Sequence, residues 1–203
     1  MLTRTDLGAP VVTAADAAEF MRVTEASELP LIELLVESAT TYCEAVTGRD
    51  VRASSYRLAL DDFPSGSWPI CLPMAGVSSV TEVSRRVDGV YVPFPEAGNW
   101  YLVTPSLYRA EVWLEQGKVW PSDADARKQA VRVDFVTGDN PHVPVCVEGI
   151  KRHVAAMYAD RGDSEFARGT GGVSGGADST LVVDTARSSG AVALYAPVSL
   201  PSV

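Results

Sequence analysis

Between Ser27 and Gly48 the apolar residues return every three or four positions. Ile32, Leu35, Val36, Ala39, Cys43 and Val46 draw one stripe along a helix. A striped helix needs a partner to cover it, so the chain must build a helical layer. Ser27 with Glu28 and Pro30 reads as its start, because proline costs nothing in a first turn. Gly48 reads as its left-handed stop, with Arg49 at the negative end. Thr13 and Asp16 form a capping-box pattern that opens a shorter helix over Ala14–Arg22. From Thr13 to Val46 there are seven acidic residues and one base. Glu33, Glu37 and Glu44, opposite the stripe, read as an ordinary solvated face, with an acidic face toward a channel or partner as the sharper alternative.

The texture then changes. Nine of the thirteen prolines fall between Pro64 and Pro144, and all four tryptophans lie in the same stretch. Strand-like runs at Tyr56–Leu60, Ile70–Leu72, Val77–Val87, Val90–Val92, Trp100–Val103, Glu111–Leu114 and Ala130–Val136 alternate with turn residues. Asp88-Gly89 is a hairpin signal, since that turn needs positive φ. Arg132 and Asp134 alternate with Val131, Val133 and Phe135, as in a half-buried strand. Helix returns after Pro144, where Val147, Ile150, Val154 and Met157 or Tyr158 share a face between Glu148 and Arg161. The expected fold is α+β: a small helical bundle of helices at about 13–22, 28–47 and 145–161, with an antiparallel β section, 51–138, inserted between the second and third. One domain, 1–162, results.

Beyond it, residues 169–176 hold five glycines in eight positions, the composition of a flexible hinge. The segment after it is too apolar for a free tail. Leu181, Val183, Leu194, Tyr195, Val198 and Leu200 read as contacts of an extended C-terminal arm, spanning 163–203, that orders only against something else. A strand added to the chain's own sheet is the competing expectation.

Composition excludes several functions. The net charge of −9 argues against gripping nucleic acid through clustered Lys and Arg. No apolar run approaches the ~20 residues of a membrane span, and Met1–Pro10 lacks the apolar core of a signal peptide. The three cysteines, Cys43, Cys71 and Cys146, are far apart and odd in number, which reads as buried thiols in a reducing compartment. Two distant histidines make a poor metal site, and His153 reads as structural. Gly172-Val173-Ser174-Gly175-Gly176 matches a nucleophile-elbow pattern but lacks the strand before it and the helix after it. Asp61-Asp62 and Asp123-Ala124-Asp125 read as turn residues rather than calcium loops. No cofactor, metal or catalytic set is expected, and the chain does not read as an enzyme.

The order of phrases carries a resemblance. Tyr42-Cys43-Glu44-Ala45-Val46-Thr47-Gly48-Arg49 closes the acidic helices. Trp68-Pro69-Ile70-Cys71-Leu72-Pro73 and Val77-Ser78-Ser79-Val80 follow, then Val119-Trp120-Pro121 and Ala130 to Gly138, and last Val143-Pro144 with its helix and Tyr158-Ala159-Asp160-Arg161. Over about residues 10–162 the chain resembles the head–tail connector (adaptor) family of long-tailed phages, the group similar to the HK97 and SPP1 adaptors and also found in gene-transfer-agent particles. Two departures stand out: Met74-Ala75-Gly76 after the Leu-Pro phrase, and Gly149 inside the last helix, where glycine costs about 1 kcal/mol against alanine.

The resemblance implies a structural protein of the neck of a virion or phage-like particle, made in the host cytoplasm. It implies a ring of about twelve copies beneath the portal protein ring, extending the DNA channel and docking a stopper or tail-completion protein. Double-stranded DNA would pass without sequence-specific binding, and an acidic lumen would let it slide. The helices would serve ring packing, the sheet the outer or tail-facing side, and the C-terminal arm the portal. A tail-terminator or tail-completion protein, or a small soluble enzyme, are the alternative readings.

Overall fold

The computed structural model describes residues 1–106, 109–138, 140–160 and 177–200. The chain forms two compact units, Met1–Ala9 with Arg52–Asn140, and Pro10–Val51 with Pro141–Val203. The first is all β. The second is helical.

Among the described residues the β unit contains eight strands: β1 (Leu2–Leu7), β2 (Ser54–Leu60), β3 (Ile70–Leu72), β4 (Val77–Val87), β5 (Val90–Pro93), β6 (Trp100–Ser106), β7 (Arg109–Leu114) and β8 (Val131–Thr137). They make a five-stranded sheet, β1-β2-β8-β4-β5, and a three-stranded sheet, β3-β7-β6, with every pairing antiparallel. One core joins them. Tyr56, Leu58, Val83, Val131, Val133 and Phe135 from the larger sheet share it with Ile70, Leu72, Trp100 and Val112 from the smaller. Strand β8 is central and alternates buried and half-buried residues along its whole length, as its period-two pattern requires. On its wetter face Asp134 stands opposite Arg57 and accepts two hydrogen bonds from the guanidinium, at 2.7 and 2.8 Å. The β4–β5 hairpin turns through Asp88 and Gly89, at φ 50° and 84°, the left-handed pair that a two-residue turn demands.

Strand β1 is absent from the sequence reading. All six of its residues are exposed, so no buried face imposes a pattern on them. Backbone pairing to β2 holds it, with Arg4 Nε donating to the Tyr56 hydroxyl at 2.8 Å.

The helical unit holds α1 (Ala14–Met21), α2 (Leu29–Thr47), α3 (Val143–Asp160), α4 (Ala177–Ser188) and α5 (Ala191–Tyr195), with single 3-10 turns at Ala26–Glu28 and Ala196–Val198. The capping box at Thr13 and Asp16 is formed: Thr13 N–H donates to the Asp16 carboxylate at 2.9 Å, and Asp16 N–H to Thr13 Oγ1 at 3.1 Å. The Thr13 hydroxyl also donates to the Asp16 carboxylate, at 2.6 Å, and this bond first, then that from Thr13 N–H, lowers the pKa of the carboxyl. Ser27 does not cap α2. The preceding 3-10 turn supplies the first partner instead, with Leu29 N–H donating to the Ala26 carbonyl. Gly48 ends the helix at φ 67° as expected. The stripe is corrected at one end: Ile32, Val36, Ala39 and Cys43 are buried, but Val46 is 37% exposed and Thr47 is buried in its place. Thr47 tolerates burial because its hydroxyl donates to the Cys43 carbonyl at 2.7 Å.

The C-terminal arm is corrected in form. Residues 177–198 are neither extended nor a strand on the sheet; they are two helices and a 3-10 turn. Ala191, Tyr195 and Val198 join Ile32, Val36, Cys43, Cys146, Ile150 and Val154 in the helical core. The expected boundary at 162 therefore does not divide the chain, since the arm buries its apolar residues in the same core as α2 and α3. The glycine-rich 169–176, with Ser174, lies outside the described residues, as does Arg161.

All four tryptophans belong to the β unit, so their fluorescence reports it alone. Phe135, 1% exposed and stacked on Tyr56 with ring centroids 5.6 Å apart, fills its centre. Phe135→Ala is expected to cost about 3–5 kcal/mol in urea unfolding followed by that fluorescence.

Candidate functional site

The carboxylate pairs settle into structural work. Asp61 accepts from Gln129 N–H at 2.9 Å and Asp62 from Phe63 N–H at 2.8 Å. Asp125 accepts from the N–H groups of Asp88 and Gly89, both at 3.1 Å, and so braces the hairpin turn. Asp123 faces the Arg85 guanidinium, whose hydrogen bonds hold its carboxyl below the usual range. Asp61, Asp62 and Asp125 border an open groove of about 730 Å³ in the β unit, lined also by Phe63, Trp120 and Lys128. No group of three or more His, Cys, Asp or Glu able to hold a metal occurs among the described residues. Among them, too, no helix is long and apolar enough to cross a membrane.

The most built feature lies in the helical unit, where the C-terminal segment meets the end of α2. Three consecutive residues receive it. The Thr47 carbonyl accepts from Leu200 N–H at 2.8 Å. A Cβ at Gly48 would come within 3.2 Å of the Leu200 side chain. Arg49, 4% exposed, donates from Nε to the Val198 carbonyl at 2.9 Å. Thus the Thr-Gly-Arg phrase stops the helix and also seats residues 198–200.

One helical turn of α3 completes the seat. Gly149 leaves a notch there, and the Tyr195 ring fills it so closely that a Cβ at 149 would collide with the ring carbons. Tyr195 is wholly buried, and its hydroxyl lies against the Cys43 thiol. It finds no oxygen or nitrogen partner among the described residues. Burial first, then the neighbouring Cys43, pushes its pKa up. The Cys43 thiol, directed at Cys146 and buried, is likewise pushed up. Cys43 and Cys146 are buried thiols outside any disulfide, as expected, whereas Cys71 is corrected: it is exposed.

His153, also wholly buried, ties α3 to α4. Its Nε2 lies 2.8 Å from the Val182 carbonyl and 3.2 Å from Thr185 Oγ1, and its ring meets Tyr42 edge-on at 5.3 Å. A carbonyl can only accept, so the proton sits on Nε2 and Nδ1 carries a lone pair with no partner among the described residues. Protonating Nδ1 would bury an unmatched N–H and a charge. Burial accordingly lowers the pKa.

The sequence-selected residues separate into groups. Tyr195 and Val198 are spent in the core; Val183, Leu194 and Leu200 are half-buried; Leu181 lies on α4, with its side chain outside the described ones. Glu33 and Glu37 are exposed, whereas Glu44 is half-buried and accepts from Val51 N–H at 3.2 Å. The helical unit also exposes Phe20, Leu31, Leu34 and Val46, Leu34 by 68%. Sequence reasoning missed the seat itself. Its signals were present as a glycine inside α3 and a Thr-Gly-Arg phrase, but a notch announces nothing until its occupant is known.

No protein-family model and no curated protein matches the chain. Its fold, however, is shared with solved particle structures. A chain in the neck of an empty GTA particle computed with C6 symmetry aligns with TM-score 0.67 and 22% identity, over 100% of this chain and 97% of that one. A chain in the virion of a native gene transfer agent (GTA) particle gives 0.67 and 21% over the same shares. One in the neck of a native GTA particle computed with C12 symmetry gives 0.62 and 24%, again over 100% and 97%. The likeness is one of fold, and it includes the C-terminal segment.

Two measurements follow from the seat. Gly149→Ala is expected to lower stability by about 1–3 kcal/mol in thermal unfolding followed by circular dichroism, despite alanine's better helix propensity. Because the folded-state pKa of His153 is lowered, the unfolded chain binds the extra proton. The helical unit should therefore lose stability as pH falls below about 6.5. Unfolding midpoints at pH 7.5 and 5.5 should differ more for the wild type than for His153→Gln.

Proposed function

We propose that this protein is a structural component of the neck of a tailed phage or phage-like gene transfer particle, and that it acts there as the head–tail adaptor. The observation that carries the reading is the shared fold over the full chain with chains of GTA necks, at TM-scores of 0.62–0.67. The order of sequence phrases supports it independently. In this reading the copies form a ring, of twelve where the portal is twelvefold, that continues the channel and presents a surface to a stopper or tail-completion protein.

The surfaces fit that work. In a cyclic ring each subunit uses two different faces, and every copy needs apolar area outside its own core. Leu31, Leu34, Val46 and Phe20 supply it in the helical unit. Glu33 and Glu37, exposed on α2, give an acidic face that repels phosphate, so DNA slides past instead of being held. Nothing in the work requires bond-making chemistry, and we assign the protein no catalytic residues. Contact with the portal falls to the partly exposed Val183, Leu194 and Leu200 of the C-terminal segment, since Tyr195 and Val198 are occupied.

The test is the mass of the protein alone and mixed with its cognate portal ring, by light scattering after size exclusion. A complex with about one copy per portal subunit is expected. A protein that never associates with the portal would overturn the adaptor reading and favour a tail-end component.

A further inference from the structure

The end of α2 and the notch on α3 have the properties of a peptide-binding site whose occupant is a separable piece of the same chain. Residues 191–200 enter it as a plug. Tyr195 fills the Gly149 notch, Val198 is buried with its carbonyl on Arg49, and the backbone of Leu200 is held by Thr47. The plug hangs from α4 through one joint at Ser189-Gly190. Gly190 has φ 75°, a Cβ there would meet nothing within 4 Å, and α5 begins with no side-chain cap on Gly190. Across the joint the Ala191 N–H donates to Ser189 Oγ at 3.3 Å, and turning it gives up that bond.

The plug also carries an unmet requirement. A buried tyrosine normally hydrogen-bonds through its hydroxyl. Tyr195 sets its hydroxyl against sulfur, a weak acceptor, where phenylalanine would fill the notch without that loss. A hydroxyl poorly served when seated is served by water when the plug is out. Every copy bears both plug and seat, and the match between them is the same within a chain or between chains.

We infer that the Thr47-Gly48-Arg49/Gly149 seat is a binding site for the C-terminal plug of a second copy of this chain, taken up by exchange when copies stand side by side. In a free monomer the chain's own plug wins, because its effective concentration is high. In a ring, which rests on the reading above, the neighbour's plug competes on equal terms. A plug passed from each copy to the next is a heterologous contact and closes with the ring.

Two full-length variants test this. Gly149→Leu fills the notch and expels its own plug while leaving that plug intact. Tyr195→Ala spoils the plug and leaves an empty seat. Each alone should run as a monomer in size exclusion with light scattering, and the mixture should give a one-to-one heterodimer. A mixture that stays monomeric, with both variants retaining wild-type helical circular dichroism, overturns the proposal. Should either variant lose its helical signal, Tyr195→Phe decides by hydrogen exchange. Amides 191–200 should exchange about tenfold more slowly than in the wild type, and unchanged exchange overturns the proposal. A heterodimer from a protein that ignores the portal would keep the seat and remove the neck reading; portal binding without a heterodimer would do the reverse.

Discussion

The helical unit turns on the space left by a missing side chain. Gly149 lies on the buried side of α3, and the room it vacates holds the ring of Tyr195. With the ring in place, α5 packs on α3, Val198 enters the core, and the chain is led past the end of α2 to Leu200. Glycine weakens a helix, so its presence there is a local cost of about 1 kcal/mol. The burial of a tyrosine ring, of the order of 150–250 Å² of surface, outweighs it. Local propensity and tertiary packing disagree at this position, and packing decides.

The same trade recurs around the seat. Thr47 is buried because its hydroxyl is satisfied within its own helix, while its carbonyl, left over at the helix end, accepts from Leu200. Arg49 is buried with its Nε on a backbone carbonyl. Helix ends leave several carbonyl groups without intrahelical partners, and here a returning segment supplies one of the donors. The C-terminal segment is thus bound partly by apolar burial and partly by groups that any helix must otherwise leave to water. The Tyr195 hydroxyl and His153 Nδ1, buried at this seam without an oxygen or nitrogen partner among the described residues, make it the less settled part of the core.

The β unit follows a different logic. Its core depends on alternation along β2 and β8, and the aspartates read from the sequence as turn residues brace turns or face an arginine. Among the described residues both units expose large apolar side chains, Trp68 and Val119 in one, Leu34 and Phe20 in the other.

Periodicity alone determined most of the elements. The stripe of α2, the alternation of β8, the Asp88-Gly89 turn and the Thr13–Asp16 cap are each set by residues close in sequence, so they were legible there. Strand β1 was not, because a strand with no buried face has no pattern. Val46 and Thr47 exchanged places because a stripe shows which side of a helix is apolar and not where the covering partner ends. The C-terminal segment shows the limit most clearly. Its apolar residues announced that it must be covered, but Leu194, Tyr195 and Val198 fit a strand, an arm or a helix about equally well. The notch at Gly149 and the carbonyl of Thr47, some 50 and 150 residues away along the chain, selected the helix. That choice belongs to contacts between distant residues, which only the folded chain brings together.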